Sequence, residues 1–445
     1  MSNMLNEFIR KFTEAAHENG IQNLEFYSET EKNVSVNAYQ GRAWKSQECE
    51  VTSCYIQGEY KGMTGAVSVE ELSEEQFEEA IHLLKMTAEM NHTPFRASNL
   101  SASKVTKDFT NSSMDELTKG ILSAEAAVKE KYPELNKFNS ADCDETIRTI
   151  QIQNDKGICM EDTIKYASAW LQAEALDGDV VQTSANACVV QNASDIDFEQ
   201  MFEEAAEDAC NMKGAKPVAT GKYPVVLKNS IICEMLSMYM SAFGADQVRK
   251  KLSKLSESKD TQVASEVVCL SEEPALAEGV NNRAFDDEGN PTAAKKLIEK
   301  GVLKQFLYNQ EEAEMAGTKS TGNGFKKSYK GKPEIGVSNL VLHGQDKSIT
   351  TLLAEMQNGL YITSCDGMFA CADVVSGDFA LISRGYLVES GKTVRPVSQI
   401  TIAGNFFDMI KEIQTLGNDY RTMFTPAGAF VTPSVFVKEL VVSGL

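Results

Sequence analysis

Two cysteines and three aspartates lie close together in the stretch ITSCDGMFACADVVSGDFA at 362–380, and the set comprises Cys365, Asp366, Cys371, Asp373 and Asp378. Thiolates are soft metal ligands and carboxylates are hard ones, so the mixture is compatible with half of a metal site. It is equally compatible with a strand, a turn and a second strand. The choice depends on whether the rest of the chain supplies further ligands.

Histidines and paired cysteines, the usual further ligands of zinc, are sparse in this chain. The four histidines are His17, His82, His92 and His343, and no two of them have a zinc-binding spacing. The ten cysteines include no CxxC pair, so neither a zinc ribbon nor a thioredoxin-like site is expected. In a reducing compartment, isolated cysteines in apolar runs behave as small buried hydrophobic residues.

Composition and charge narrow the classes of protein to consider. A chain of 445 residues has room for two or three domains. Its net charge of −21 argues against direct nucleic-acid binding. No apolar run approaches the ~18 residues of a membrane helix, and the N-terminus interleaves charged and apolar residues, unlike a signal peptide. We therefore expect a cytoplasmic protein with no membrane partner.

The pattern of helices and strands predicts an α+β fold in two domains. In residues 1–218, a helix, several alternating strands and a second helix occur twice, separated by a polar linker near 91–112. The second helix of the first unit is predicted to start at Ser73, where Gln76 completes a capping box, and the first helix of the second unit begins at Ser113, with Glu116 three residues later. Residues 219–445 are predicted to form a β-rich domain with one long helix near 230–255. The predicted N-terminal sheet is antiparallel.

Two further loops combine polar side chains with glycines. The first is NNRAFDDEGNPT at 281–292, whose consecutive acids lack the alternate spacing of a calcium loop. The second is STGNGFKK at 320–327. Either loop could be a simple turn or could line a groove. The residues proposed for a groove or pocket are Asn281, Arg283, Asp286, Asp287, Gly322, Asn323, Gly324, Cys365, Asp366 and Asp378.

Several blocks of the second half resemble one known family. They include NNRAFDDEGNPTAAKKLIEKGVLKQFLYNQEEAEMAG, STGNG, VVSGDFALISRGYLVESGK, RPVSQITIAGN and TPSVFVKELVVSGL. In this order and spacing they resemble the TldD/PmbA family, whose members have been labelled modulators of DNA gyrase. The resemblance extends upstream through TGKYPVVL and covers nearly the whole chain.

This resemblance implies a two-subunit metalloprotease system that acts on peptides or unfolded proteins. One subunit type, TldD, carries an HExxxH stretch on the helix after the strand that matches PVVL, and a later cysteine completes its zinc site. The other type, PmbA or TldE, has the same fold without that stretch. The family's mixed N-terminal domain and β-rich C-terminal domain agree with the predicted boundary near residue 218.

The corresponding helix here, KNSIICEMLSMYMSAFGADQV, contains no histidine. Ser237, Met238 and Ala242 stand where the first histidine, the glutamate and the second histidine of the motif would lie, and none can replace them. Cys365 lies in the region of the third zinc ligand and is a weak candidate as a metal ligand. The resemblance therefore implies a PmbA/TldE-type subunit without zinc or catalytic residues of its own.

Partners and alternatives follow from this interpretation. The expected partner is a zinc-bearing TldD-type subunit in a heterodimer, with a homodimer as the other possibility, and a peptide or unfolded protein is the expected substrate. One alternative is a self-sufficient peptidase that uses Cys365, Asp366 and Asp378. Another is a regulator of DNA gyrase that acts through protein contact.

Overall fold

The computed structural model describes residues 2–105 and 107–445 and confirms the α+β prediction. The helices are α1 (Ser2–Glu18), α2 (Phe77–Asn91), α3 (Met114–Lys131), α4 (Phe198–Asn211), α5 (Asn229–Tyr239), α6 (Ala245–Arg249), α7 (Gln310–Ala316), α8 (Ile349–Met356), α9 (Met368–Cys371) and α10 (Phe406–Met409). The strands of the first half are β1 (Gln22–Tyr39), β2 (Arg42–Tyr60), β3 (Met63–Val69), β4 (Ser103–Lys104), β5 (Leu135–Asn154), β6 (Cys159–Asp177) and β7 (Val180–Val190). Those of the second half are β8 (Gly221–Leu227), β9 (Leu270–Glu272), β10 (Lys295–Glu299), β11 (Val302–Leu303), β12 (Gly324–Phe325), β13 (Glu334–Ile335), β14 (Asn339–Leu342), β15 (Gly359–Asp366), β16 (Asp378–Glu389), β17 (Lys392–Asn405), β18 (Ile413–Leu416), β19 (Arg421–Thr425), β20 (Gly428–Thr432) and β21 (Val435–Ser443).

The strands of the first half form one seven-stranded sheet with the order β3-β2-β1-β5-β6, and β6 also pairs with β7 and β4. The two helix–strands–helix units join where β1 and β5 run antiparallel, with Val34 opposite Glu145. Side chains alternate between the two faces of each strand, and the buried positions pack against the helices. Phe138 of β5 meets Phe202 of α4, for example, with ring centroids 4.6 Å apart. Apolar residues at alternate positions of the strands thus form the face of the sheet that packs against the helices.

The second half contains a closed ring of strands and a second open sheet. β8, β15, β16, β17 and β21 form the ring, because β17 pairs with both β16 and β21. The open sheet has the order β11-β10-β9-β14-β20-β19, and β12 pairs with β13. The largest apolar core includes side chains of both sheets and of α5. This packing fixes α5 between the two sheets.

The long helix predicted near 230–255 is broken into shorter segments. α5 ends at Tyr239, a 3₁₀ turn spans Met240–Phe243, and α6 follows. Gly244 between them has extended backbone angles. Leu307 accepts a hydrogen bond from the Ala245 amide at 2.9 Å and donates its own amide to the Phe243 carbonyl at 2.8 Å. These tertiary backbone hydrogen bonds replace the helical ones that the sequence pattern favoured.

The predicted linker near 91–112 is held along the protein by specific contacts. The Ser98 amide and hydroxyl donate to the buried Glu25 carboxylate at 2.7 and 2.6 Å. The Asn99 amide donates to the Glu288 carbonyl at 2.9 Å. This segment therefore connects the first sheet to a loop of the second half. We place the proposed domain boundary between α4 and β8, where the chain leaves the first sheet.

Within the described ranges, every helix is too short or too polar to cross a membrane.

Candidate functional site

A cleft of about 530 Å³ separates the last strand of the first sheet from the second half of the chain. One wall is formed by β7 and α4, and the other by the start of α5, the end of β15, β16 and β19. β7 and β19 are each the outer strand of their sheet, and the Arg421 guanidinium of β19 donates to the Asn186 side chain of β7 at 2.9 Å. The cleft is thus bordered by two strand edges. Its charged lining residues are Glu204, Asp208, Lys228, Glu234, Asp366, Arg384 and Arg421.

Helix α5 enters the cleft wall because its apolar stripe is anchored in the core. β8 pairs in parallel with β15, and the Lys228 amide that follows β8 donates to the Ile362 carbonyl at 3.0 Å. Met235 and Tyr239 are fully buried, whereas Glu234 is half-buried and faces the cleft. A helix with one buried stripe presents its other residues to the opposite side. The apolar spacing of this helix therefore positions Glu234.

Glu234 is the acidic side chain whose protonation the cleft changes most clearly. Burial, followed by the negative charge of Asp366, raises the pKa of Glu234 to about 6, while Arg421 acts in the opposite direction. Among the described residues, neither the Glu234 nor the Asp366 carboxylate has a hydrogen bond or ion pair. A carboxyl group with a pKa near neutrality can exchange protons with a bound molecule or hold a cationic group.

Cys365 lies beside these carboxylates as a neutral thiol. Its Sγ is 3.4 Å from the Ser383 hydroxyl, which itself donates to the Leu381 carbonyl at 2.8 Å. Burial raises the pKa of Cys365 to about 12. The thiolate is the nucleophilic and metal-binding form of cysteine, so this environment disfavours both roles.

Asp378, which the self-sufficient peptidase alternative groups with Cys365 and Asp366, lies outside the cleft. It is exposed and accepts a hydrogen bond from the Asn405 side chain at 2.8 Å. That contact lowers the pKa of Asp378. The cleft lining contains Cys365 and Asp366 but not Asp378. The stretch 362–380 thus forms a strand, a short helical turn and the start of a second strand, and its cleft-lining residues are Thr363, Ser364, Cys365 and Asp366.

Thiol alkylation tests the state of Cys365. We expect iodoacetamide at pH 8 to modify Cys365 in the folded protein about a hundredfold more slowly than Cys371, because Cys365 is partly buried with a raised thiol pKa while Cys371 is exposed. Mass spectrometry of a time course measures both rates, and unfolding in urea provides the control in which they should converge. Comparable rates in the folded protein would contradict the environment described for Cys365.

The side chains at the positions that the family resemblance relates to zinc are not those of zinc ligands. Ser237 and Met238 lie in the last turn of α5, and Ala242 is buried in the following 3₁₀ turn. Within residues 2–105 and 107–445, no group of three or more histidine, cysteine, aspartate or glutamate side chains is placed to hold a metal ion. The donor set around Cys365 therefore does not fit zinc, which binds through at least three protein ligands.

Seven of the residues proposed for a groove instead form a buried polar network away from the cleft lining. Arg283 pairs with Asp287 at 2.6 Å, and both side chains are almost fully buried. Asp286 accepts the Gly324 amide at 2.9 Å, and the Asn323 side chain donates to the Gly336 carbonyl at 2.8 Å. The residues of this network are Asn281, Arg283, Asp286, Asp287, Gly322, Asn323 and Gly324. The two loops do meet, but they join to each other rather than open a groove.

Gly322 shows why the two loops pack so closely. Its φ is +72°, and a Cβ atom at this position would lie 2.4 Å from the Pro291 carbonyl oxygen. Only glycine satisfies both the left-handed backbone and this approach. Gly322 therefore allows the two loops to pack closely and does not indicate a flexible binding loop.

Sequence reasoning missed the three basic residues of the cleft. Arg384 and Arg421 are isolated in strand-like sequence, and nothing in their spacing relates them to each other. Lys228 could have been identified from the sequence, because it directly follows PVVL at the start of the helix that the family resemblance relates to zinc binding. Folding brings these residues together from three different elements.

Comparisons with known proteins agree with the sequence resemblance. The family profile described as "PmbA/TldA metallopeptidase C-terminal domain" matches residues 220–444. A curated relative, metalloprotease PmbA of Escherichia coli O157:H7, is 32% identical over 207 residues, which are 46% of this chain and 43% of the relative. The match thus spans less than half of that relative's own length.

Two solved structures share the fold over nearly the whole chain. A Thermotoga maritima protein, described as a candidate modulator of a DNA gyrase, superimposes with a TM-score of 0.86 at 27% identity, covering 99% of this chain and 100% of that one. TldE from Thermococcus kodakarensis superimposes with a TM-score of 0.87 at 20% identity, again over 99% and 100% of the two chains. At 20% identity, the second likeness is evidence of the fold alone.

Proposed function

Because the chain belongs to the PmbA/TldA metallopeptidase family, we propose that it is the zinc-free subunit of a two-subunit peptidase that acts on peptides or unfolded proteins. Its partner in this proposal is a zinc-bearing TldD-type subunit, and the two form a heterodimer. This chain supplies part of the wall that positions the substrate. It carries no catalytic residue and no cofactor of its own, and it acts in the cytoplasm.

One observation carries this proposal. The cleft beside α5 has a lining of charged and polar residues, while the residues at the zinc-related positions are Ser237, Met238 and Ala242. A polar cleft without metal ligands suits a subunit that binds and orients rather than one that activates water. The bordering edges of β7 and β19 also suit an extended peptide, since strand edges offer backbone hydrogen-bonding groups.

The proposal predicts that this chain stimulates peptide cleavage by its partner. A TldD-type protein from the same organism, assayed on an unfolded protein such as casein, is expected to cleave on the order of tenfold faster when an equimolar amount of this chain is added. Heat-unfolded chain serves as one control, and a partner with its HExxxH glutamate replaced by glutamine serves as the other. A pair that cleaves no faster than the partner alone would contradict the proposed role.

The two alternatives have different signatures. Turnover by this chain alone that is lost in Cys365→Ala would support a self-sufficient peptidase, although the raised pKa of the partly buried Cys365 thiol argues against it. The Thermotoga maritima relative motivates the other alternative, a contact with DNA gyrase. Capture of gyrase subunits with no TldD-type protein in a pull-down would support that reading.

A further inference from the structure

One end of the cleft carries hydrogen-bond donors without partners. Within the described residues, the Lys228 ammonium makes no hydrogen bond or ion pair, although Lys228 lines the cleft. The Arg384 Nε and the Thr363 hydroxyl oxygen are buried and also lack a partner. Buried polar groups are normally hydrogen-bonded, so an unsatisfied group in a cleft indicates a missing acceptor. These donors point to an anionic group of a bound molecule.

Among the described residues, the acidic side chains at this end leave the Lys228 ammonium and the Arg384 Nε without an acceptor. Asp208 forms an ion pair with an Arg384 Nη atom at 3.6 Å and accepts hydrogen bonds from the Ser184 and Tyr386 hydroxyls at 2.8 and 3.2 Å. The other Arg384 Nη atom donates to the Thr183 carbonyl. Glu204 accepts hydrogen bonds from Asn186 and Gln200 at 3.0 and 2.9 Å. Neutral donors thus already engage both carboxylates.

The other end of the cleft carries acceptors without partners. These are the half-buried Glu234 and the exposed Asp366 carboxylates, for which the described residues supply no hydrogen bond or ion pair. Their mutual repulsion and the burial of Glu234 outweigh the opposing positive charge of Arg421 and favour a bound cation. A metal ion is a poor candidate, because no third ligand group accompanies them among the residues described. A single ammonium group fits two carboxylates better.

The separation of the two ends follows from β15. Thr363 adjoins the donor end, since the Lys228 amide bonds to the carbonyl of the preceding Ile362. Asp366 lies three residues further along the same strand. At ~3.3 Å per residue, and with a bulge between Ile362 and Ser364, Thr363 and Asp366 are at most about 10 Å apart along the strand, and Arg384 lies opposite Ser364 between them. This span corresponds to about three residues of extended peptide.

From this arrangement, we infer that the cleft binds about three residues of extended peptide in one orientation, with a carboxylate against Lys228 and Arg384 and an ammonium group against Glu234 and Asp366. The inference rests on the proposed function, because it takes the ligand to be a peptide. Beyond the proposed function, it states that this chain binds both charged groups of its ligand. The ligand class is a zwitterionic peptide or a short peptide segment with a basic and an acidic group.

Binding of capped tripeptides to this chain alone tests the inference. Calorimetry should show that trialanine binds about tenfold or more tightly than either its N-acetylated or its C-amidated form. In Lys228→Gln the effect of amidation should shrink, since only Arg384 remains to bind the carboxylate, while acetylation should weaken binding as before. In Glu234→Gln the effect of acetylation should shrink, since only Asp366 remains to bind the ammonium group, while amidation should weaken binding as before. Thermal melting checks that each variant is folded.

Matched controls come from an exposed pair outside the cleft. Lys222 and Glu439 form a surface ion pair, with side chains 65% and 49% exposed. Lys222→Gln and Glu439→Gln should leave both capping effects unchanged. A fourth probe, Ala-Ala-Asp-amide, identifies the source of the carboxylate. If Ala-Ala-Asp-amide binds as tightly as free trialanine, the carboxylate that Lys228 and Arg384 bind can come from an acidic side chain. If it binds as weakly as amidated trialanine, that carboxylate is a peptide C-terminus.

Two results would overturn the inference. One is the absence of trialanine binding at millimolar concentration, and the other is binding that capping does not change in the unaltered chain. Either result would leave the proposed function standing if the chain still stimulates its partner. Failure of stimulation together with charge-dependent tripeptide binding would instead overturn the proposed function alone.

Discussion

Arg283→Met is expected to lower the free energy of unfolding by about 3–5 kcal/mol. Arg283 and Asp287 are 2.6 Å apart, with side chains only 4% and 2% exposed. The guanidinium also lies over the rings of Phe285 and Phe325, 5.9 and 5.3 Å from their centroids. Removing it leaves the buried Asp287 carboxylate without its ion-pair partner, so that the charges of Lys326 and Arg148 remain to act on it. Urea denaturation followed by circular dichroism measures the loss.

Lys296→Met is the matched control for that substitution. Lys296 pairs with Glu299 at the surface, where the side chains are 65% and 40% exposed. Exposed pairs contribute about 0–1 kcal/mol, so this variant should be nearly as stable as the unaltered protein. The double variant Arg283→Met with Asp287→Leu should recover part of the loss, because it removes the uncompensated charge. A loss below about 1 kcal/mol for Arg283→Met would contradict the importance of the buried network.

Glu288→Gln is expected to stabilise the protein increasingly as the pH rises from 5 to 8. Burial, followed by the negative charge of Asp286, raises the pKa of Glu288 from 4.5 to about 8. The native state therefore retains a proton that the unfolded state has released across this pH range. Stability contributed by this group is present at low pH and is lost as the pH approaches 8, by up to about 1.4 kcal/mol per pH unit.

The glutamine variant removes this titration while preserving the local hydrogen bond. The Gln310 amide donates to the Glu288 side chain at 2.7 Å, and a carboxamide oxygen can accept the same bond. The stability difference between the variant and the unaltered protein should grow in favour of the variant between pH 5 and 8. Glu439→Gln at the exposed surface should show no such trend. Parallel stability curves for Glu288→Gln and the unaltered protein would contradict the argument.

Local sequence signals predicted the elements better than they predicted the contacts between them. The helix start at Ser113 is confirmed, and Glu116 completes a capping box there. The capping box predicted for Ser73 and Gln76 is wrong, because Ser73 precedes a 3₁₀ turn and its side chain makes no capping hydrogen bond. The α+β class followed from strand alternation and helix periodicity. The helix near 230–255 was predicted too long, since Leu307, over 60 positions away, supplies the competing backbone hydrogen bonds.

The candidate site was predicted in part. Cys365 and Asp366 line the cleft, and the family resemblance directed attention to the helix that carries Glu234. The polar residues of 281–292 and 320–327 looked like binding residues because burial of charge cannot be read from one sequence. Their partners come from distant segments, as when Asp287 accepts the Lys326 amide at 2.7 Å. The basic side of the cleft was missed for the same reason.

Zinc content is the measurement that tests the central claim most directly. Elemental analysis of the purified chain, prepared without an affinity tag, should find less than about 0.1 equivalents of zinc. The same analysis of its complex with a TldD-type protein should find about one zinc for each pair of chains. Close to one equivalent in this chain alone, removed by Cys365→Ala, would contradict the account and identify 362–380 as part of a metal site.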